Sequence, residues 1–273
     1  MKSAWCMVAA AAALMLSTPL ASHGQDPPAP AAPLDTPILL RLAPPEGQVS
    51  RYAHSTQAEV ESPMMPASPV MTMRTHQTQT VLGVGNDVIR FRTTIDSVST
   101  TMPTTVPGMD MPDYSGSVFT TVMDTRGGSV GVISTEGLPQ VAGFDPASIM
   151  RESSHFVLPE EEVSPGDSWT VAAPLSLPMG PAGSMSIEVT MTYTFVSLEG
   201  SLATLSFEGP MDMDLDMGAG GMTATGTTTG NMVVDLAEGR FRSQSSRASL
   251  DMSMAGMAMT TNLTTTMELL PDP

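Results

Sequence analysis

Cysteine, lysine and aromatic residues are scarce in this sequence. Its one cysteine, Cys6, lies in an N-terminal apolar segment, and its one lysine, Lys2, precedes that segment. The chain beyond residue 24 therefore has no thiol, which excludes disulfides, thiolate nucleophiles and cysteine-based zinc sites from that part. Aromatic residues make up 4% and charged residues 14%, and Thr, Ser, Gly, Pro and Met take their place.

Basic charge is also in short supply. The chain has 28 acidic against 11 basic residues, a formal charge of -17. Phosphate binding needs clustered Lys and Arg, so this balance argues against nucleic acid as a partner. It argues equally against binding to an anionic membrane surface.

The N-terminus has the pattern of a secretory signal peptide over residues 1–24. Lys2 is followed by an apolar run over residues 4–16, which is too short to span a bilayer, and cleavage is expected after Ala21 or Gly24. The alternative is an uncleaved N-terminal anchor. Residues 25–37 form a Pro/Ala-rich tether, and no later run is long enough to cross a membrane. We expect an extracytoplasmic protein, periplasmic or secreted.

Alternation of apolar and polar residues predicts β-strands through the rest of the chain. Residues 88–99 and 185–196 alternate most clearly, and Gly85-Asn86-Asp87 has the composition of a hairpin turn. The apolar phase flips at Ala255-Gly256, which predicts a bulge or tight turn. One short helix is predicted over residues 145–151, with Asp145 as its cap.

Three landmarks recur along the chain and indicate an internal duplication. Residues 45–47 leading to Tyr52 resemble residues 165–167 leading to Trp169. Residues 88–91 lie 114 positions before residues 202–205, and Asp124 with Gly128 lies 111 positions before Asp235 with Gly239. The predicted fold is therefore mainly β: a long antiparallel sheet or partly open barrel built from two related meanders, residues 38–156 and 157–273, which we expect to form one domain.

The central stretch, LPEEEVSPGDSW at residues 158–169, resembles a signature of an exported bacterial family of unknown function. The signal peptide, Glu46-Gly47 and the two Asp-to-Gly loops fit the same layout. The resemblance covers residues 39–270 and implies an extracytoplasmic β-rich domain without established catalytic residues.

The predicted function is non-catalytic binding of an apolar small molecule or a protein partner, and no cofactor is predicted. The candidate surface is the apolar face of the best alternating strand, formed by Met185, Ile187, Val189, Met191, Tyr193 and Phe195. The alternative is that this face is simply core. No G-x-S-x-G, H-E-x-x-H or phosphate-binding loop is present, so we expect no enzyme activity.

Methionine supports a rival prediction, soft-metal binding. The chain has 25 methionines, clustered at 64–65, 71–73, 109–111, 211–217 and 252–259, and thioethers bind Cu(I). The alternative is that Met replaces Leu and Val as the apolar partner in strands, while His54, His76 and His155 are scattered. The acids at 212, 214 and 216 and at 160–162 are interpreted as solvated faces, and Trp169 as a core residue.

Overall fold

The structure is a computed structural model that describes residues 36–61, 70–101, 113–138, 156–178, 184–211, 213–215, 222–254 and 257–272. Within these ranges, side chains are described except at 173–178, 184–188, 213–215, 222, 254 and 257. Several sequence predictions fall outside the described residues: the predicted signal peptide, nearly all of the predicted tether, the predicted helix at 145–151, His155, and the methionines at 64–65 and 109–111.

The described residues form twelve β-strands in one antiparallel sheet and contain no helix, which confirms the mainly β prediction. The strands are β1 (Val49–Glu61), β2 (Val70–Gly85), β3 (Val88–Thr101), β4 (Val118–Asp124), β5 (Ser129–Glu136), β6 (Ser168–Pro178), β7 (Ser184–Glu199), β8 (Leu202–Pro210), β9 (Met213–Leu215), β10 (Met222–Asp235), β11 (Arg240–Met254) and β12 (Met257–Leu269).

The sheet is open, with the order β5-β4-β3-β2-β1-β12-β11-β10-β8-β7-β6. The short β9 lies off this path and pairs with β10. β1–β5 form one meander and β6–β12 the other, and the two join where β1 pairs with β12. The edge strand β6 contains Pro174 and Pro178, which is consistent with its position because proline has no N–H for a second ladder.

Each long strand has one buried and one exposed face, as its sequence alternation predicts. In β1 the even-numbered residues Tyr52, Thr56 and Ala58 are buried, while Arg51 and Gln57 are exposed. We call the buried side of the sheet the inner face and the other the outer face. The predicted turn between β2 and β3 is confirmed: Asn86 and Asp87 have φ of 52° and 59°, the left-handed pair that a type I′ hairpin requires.

Two extended segments pack on the inner face at the end of the sheet that carries this turn. The first lead-in segment, residues 38–48, precedes β1, and the second, residues 156–167, precedes β6. Ile38 pairs with Val163 between them, and Leu40, Leu42 and Leu158 are nearly inaccessible to solvent. These leucines belong to the same core cluster as the inner-face residues of β2 and β3 and of β7, β8 and β10. The sheet must therefore curl around the lead-in segments.

A second core cluster occupies the opposite end of the inner face. It consists of the small and flexible side chains Ala58, Met211, Ala224, Ala248, Leu250, Met252 and Leu263. β11 and β12 are antiparallel partners there, with Met254 opposite Met257. The predicted turn residues, Ala255 and Gly256, lie outside the described residues.

The two meanders share backbone hydrogen bonds at equivalent places. Val81 exchanges two backbone bonds with Gly47 and Gln48. Phe195, 114 positions after Val81, exchanges the same two with Gly166 and Asp167.

This alignment corrects one detail of the sequence comparison. It sets Ser50 at the position of Trp169, because Gly47 corresponds to Gly166. Tyr52, with which the sequence comparison matched Trp169, falls two residues later.

Irregularities of the ladders recur too. The register of β2 and β3 shifts between Val81 and Gly83, and that of β7 and β8 shifts between Phe195 and Ser197, 114 positions later. The register of β4 and β5 shifts between Val122 and Met123, and that of β10 and β11 between Val233 and Val234, 111 positions later. Because a bulge sets local twist and side-chain direction, the two meanders bend alike at these two places. A further shift between Thr120 and Thr121 in β4 and β5 has no counterpart in the pairing of β10 with β11.

Candidate functional site

The predicted ligand-binding strand face lies in the core around the lead-in segments. Val189, Met191, Tyr193 and Phe195 are all buried in the first core cluster. Met185 and Ile187 belong to β7, but their side chains are outside those described. Burial raises the pKa of Tyr193, and its ring stacks on Trp169 at a centroid distance of 5.8 Å. These four residues therefore belong to the core, which is the alternative given in the sequence analysis.

Trp169 fixes the second lead-in segment to the sheet. Its indole N–H donates a 2.7 Å hydrogen bond to the carbonyl of Val157, and its ring packs against the first core cluster. This confirms the expectation of a core tryptophan with a satisfied N–H. Glu161 and Glu162 are exposed, and Glu160 forms a solvent-exposed ion pair with Arg126, so these acids do not converge on a site.

An uncharged part of the inner face lies on the central strands, β1, β2, β11 and β12, and it includes most of the second core cluster. Its residues are the even-numbered ones of 50–60 and 244–252 and the odd-numbered ones of 71–79 and 259–269. We call this surface the central strip. None of these positions is charged, whereas the outer faces of the same strands carry Arg51, Glu59, Arg74, Arg247 and Glu268. The strip offers apolar groups, hydroxyls and amides only.

Several positions of the central strip on β1, β2 and β12 are only partly covered. Met71, Met73, Thr75, Gln77 and Gln79 are half-buried along the whole inner side of β2. Met267 and Leu269 on β12 are half-buried as well. Thr56 and Thr265, between these two groups, are buried. The partly covered positions therefore lie along β2 and at the end of β12 that pairs with Tyr52 and His54.

Three polar atoms of the central strip are buried without a hydrogen-bond partner among the described residues: His54 Nε2, Thr261 Oγ1 and Thr265 Oγ1. Burial, and to a lesser degree His76, lowers the pKa of His54 to about 4. The imidazole is therefore neutral at pH 7. An unpaired buried polar atom costs free energy, so each of the three calls for an explanation such as a bound molecule or ion.

The sequence does indicate that His54 faces the core, although the histidines as a group are scattered along the chain. It shares the even phase of Tyr52, Thr56 and Ala58 in β1, not the odd phase of Arg51 and Glu59. A histidine on the apolar phase of an amphipathic strand is expected on the buried face.

The outer face holds a polar depression of about 410 Å³ beside β2 and β3. His76 Nδ1 lies 3.1 Å from Ser97 Oγ, but the neighbouring Asp96 accepts a hydrogen bond from Thr78. A Ser-His pair needs a third group that orients the imidazole, and here Asp96 is bound to another residue. This exposed pair therefore lacks the arrangement of a triad.

Asp235 forms the most connected polar cluster among the described residues. Oδ1 accepts hydrogen bonds from Ser201 and from the backbone of Ala237 and Glu238, and Oδ2 accepts two from Arg242. Although burial raises the pKa of Asp235, these bonds outweigh it and hold the pKa below its usual value. This cluster stabilises the turn between β10 and β11. All of these hydrogen bonds to the Asp235 carboxylate come from the protein itself.

Within the described part of the chain, no group of three or more His, Cys, Asp or Glu side chains is placed to hold a metal ion. Asp212 and Asp216 are not among these residues, and the side chain of Asp214 is not described. No helix in the described residues is long and apolar enough to cross a membrane.

Comparison with solved structures gives likenesses at low TM-scores. A lipovitellin structure titled for its lipid-protein interactions matches 83% of this chain at 10% identity and a TM-score of 0.45, and the chain spans about a quarter (25%) of its length. OmpF of Salmonella typhi, in complex with daunomycin, matches 81% of this chain and 98% of its own, at 7% identity and a TM-score of 0.25. The translocator domain of the autotransporter NalP from Neisseria meningitidis matches 82% of this chain and 88% of its own, at 9% identity and a TM-score of 0.23.

No curated protein matches the sequence. Residues 147–241 match a family of unknown function, DUF6263. The matched range contains the second lead-in segment and strands β6–β10, so it falls almost wholly within the second meander.

Proposed function

We propose that the protein is an exported, non-catalytic binding protein that holds a neutral, mainly apolar ligand against the central strip. The observation that carries this proposal is the chemistry of the strip: it has no charged residue, and it is partly uncovered on β2. Three of its polar atoms, His54 Nε2 and the hydroxyl oxygens of Thr261 and Thr265, have no hydrogen-bond partner among the described residues. A ligand with an apolar body and a few uncharged polar atoms would cover the apolar groups and satisfy the polar ones.

The absence of charge in these ranges narrows the ligand class. An anionic ligand would have to leave water for a surface with no cation to compensate it, at a cost of several kcal/mol. The neutral imidazole of His54 does not supply that cation at pH 7. We therefore expect uncharged amphiphiles to bind in preference to fatty acids or phospholipids.

Native mass spectrometry of protein isolated from its producing cells tests the proposal, together with titration of an uncharged apolar fluorescent probe. Gln77→Glu adds a charge to the half-buried central strip with little change in volume. Gln57→Glu adds the same charge to the exposed outer face of β1. We expect the first variant to weaken probe binding at least about tenfold and the second to leave it unchanged. Equal binding by both variants, with no co-purified ligand, would contradict the proposal.

Export is the second part of the proposal and rests on the sequence pattern of residues 1–24. N-terminal sequencing of the protein from the extracytoplasmic fraction should give a chain that begins at Ser22 or Gln25. A chain that retains Met1 and Lys2 in that fraction would support the uncleaved anchor instead.

We also infer that the two meanders arose by duplication of one unit. The support is the recurrence of one pair of backbone hydrogen bonds, at offsets of 114 and 119 positions, and of two bulges, at offsets of 111 and 114 positions. Biased composition produces similar residues but not matching bulges, so the geometry is the stronger argument.

Copper binding through the methionine clusters receives little support from packing. Met191, Met211, Met232 and Met252 are buried in the two core clusters, where they act as apolar side chains. Met267 differs from these, because it is only half-buried and stands opposite His54.

A further inference from the structure

We propose that His54, Met267 and Met73 form a binding site for one Cu(I) ion on the inner face of the central strands. This site lies within the central strip and shares His54 with the proposed apolar-ligand surface, so a ligand and an ion would compete there, although the donor chemistry differs.

The register of three neighbouring strands brings these side chains together. His54 on β1 lies directly opposite Met267 on β12, so their Cβ atoms are about 5 Å apart. Met73 on β2 lies opposite Thr56, which makes it a diagonal neighbour of His54 at roughly 7 Å. Methionine has three rotatable bonds, so both thioethers can reach a point near the imidazole.

The imidazole has the free lone pair that a metal needs. His54 Nε2 is buried and has no hydrogen-bond partner among the described residues. A coordinated metal ion would satisfy an atom that otherwise carries a desolvation cost.

The donor set selects a soft, singly charged ion. One imidazole and two thioethers suit Cu(I), whereas Ca²⁺, Mg²⁺ and Mn²⁺ require carboxylate or carbonyl oxygens. The central strip has no carboxylate, so the ion's charge would be spread over neutral ligands. That arrangement tolerates one positive charge better than two.

The test is an anaerobic titration of the metal-free, delipidated protein with Cu(I), in competition with bathocuproine disulfonate. We expect about one tightly held Cu(I) per chain, with nitrogen and sulfur neighbours in its X-ray absorption spectrum. Met267→Leu and His54→Leu should each weaken binding at least about 100-fold, because loss of even an outer-shell partner costs 10–100-fold. Leucine is close in volume to both residues, so the fold should be retained.

A second methionine pair provides the matched control. Met252 and Met259 lie directly opposite each other on the same inner face but have no histidine in their pair. The double variant Met252→Leu/Met259→Leu should bind Cu(I) as tightly as the unaltered chain. Loss of binding in this control, or normal binding by Met267→Leu and His54→Leu, would overturn the proposal.

A measurement on the unaltered chain guards against misfolded variants. With ¹³C-labelled methionine methyl groups, adding Ag(I) as an analogue that air does not oxidise should shift the signals of Met73 and Met267 but not those of Met252 and Met259. Gln77→Glu should still bind Cu(I) after it has lost the apolar probe. The failure of the metal site and the failure of the apolar-ligand proposal therefore give different results.

Discussion

Two rows of inner-face residues cross the sheet at the same level, one in each meander, and their chemistry differs. The row of the first meander is Ser50, Gln79, Thr93, Phe119 and Thr135. The row of the second is Trp169, Tyr193, Phe207, Gly230 and Ser246. Each residue pairs with the next across the ladder, at offsets of 119, 114 and 111 positions. The backbone pairing is thus the same, while the second row is aromatic where the first is polar.

The phenylalanine of each row shows how one backbone accommodates two sequences. In the first meander Phe119 on β4 faces Thr93 on β3. In the second, Phe207 on β8 faces Gly230 on β10, so the ring comes from the other strand of the pair. A Cβ atom at Gly230 would overlap the Phe207 ring, which therefore covers the glycine. Each meander thus has one phenylalanine ring at this pair of positions, but the ring comes from a different strand in each.

Gly230→Ala should cause the largest loss of stability of the single substitutions that distinguish the two meanders. The new methyl group would overlap both the Phe207 ring and the carbonyl oxygen of Ser245. A backbone carbonyl in a paired strand cannot move without breaking ladder bonds, so we expect a loss of about 4 kcal/mol in unfolding free energy. Urea denaturation followed by circular dichroism measures it.

Gly131→Ala on β5 is the matched glycine control. No atom lies within 4 Å of a Cβ placed there. We expect a change within about 1 kcal/mol, on the stabilising side, because alanine restricts the unfolded chain. If both variants are equally stable, the close approach at Gly230 does not exist in solution.

Trp169→Ala should have the next largest effect, about 3 kcal/mol. It removes the stacking on Tyr193 and the hydrogen bond that anchors the second lead-in segment at Val157. The equivalent change in the first meander, Ser50→Ala, removes one 3.3 Å hydrogen bond from Arg240 and should cost under about 1 kcal/mol. Thermal unfolding of the two variants measures both losses, and similar losses would refute the anchoring role of Trp169.

These differences show how far the sequence alone could lead. Alternation predicted the strands and the Asn86-Asp87 turn, because both depend on local chemistry. The curl around the lead-in segments was not predictable, since Leu40 and Leu158 are distant in sequence and carry no periodic pattern. The lead-in segments also pack in the same core cluster as Val189–Phe195, so the predicted ligand face is buried there. The pairing of His54 with Met267 depends on the ladder of β1 and β12, which joins the first strand to the last.

The His54 imidazole gives the first meander a pH dependence between about pH 4 and pH 6.5, whereas the corresponding position of β6 is Ala173, which does not titrate. The pKa of His54, about 4 in the folded chain, lies below the ordinary 6.5. Between these values the unfolded chain binds a proton that the folded chain does not. The contribution of the neutral His54 to the free energy of unfolding is complete above pH 6.5. As the pH falls toward 4, about 2 to 3 kcal/mol of it is lost.

Urea denaturation of the unaltered chain and of His54→Leu between pH 7 and pH 4 measures this contribution. The variant should lose less stability over that range. His76→Gln, on the exposed outer face, should behave like the unaltered chain. A parallel decline in the unaltered chain and in His54→Leu would show that the imidazole is accessible to protons in the folded state.

The two Asp loops give the smallest predicted effect and the finest comparison between the meanders. Asp124 Oδ1 accepts hydrogen bonds from the backbone of Arg126 and Gly128, and the amide oxygen of asparagine can accept the same bonds. Asp235 in addition pairs with Arg242 through Oδ2 at 2.7 Å. Arg242 is partly exposed, so water screens the pair and its loss is modest. We therefore expect Asp235→Asn to cost about 1–2 kcal/mol and Asp124→Asn under about 0.5 kcal/mol.

Salt and acid separate the ionic part of Asp235 from its role in the loop. High salt should shrink the effect of Asp235→Asn and leave that of Asp124→Asn unchanged, as measured by urea denaturation at two ionic strengths. The pKa of Asp235 is held below the ordinary 3.8, so its contribution is complete above that value and is lost as the pH falls below it. Equal and salt-independent losses in the two variants would mean that Arg242 contributes nothing. Asp235 would then act only through its bonds to the backbone, as Asp124 does.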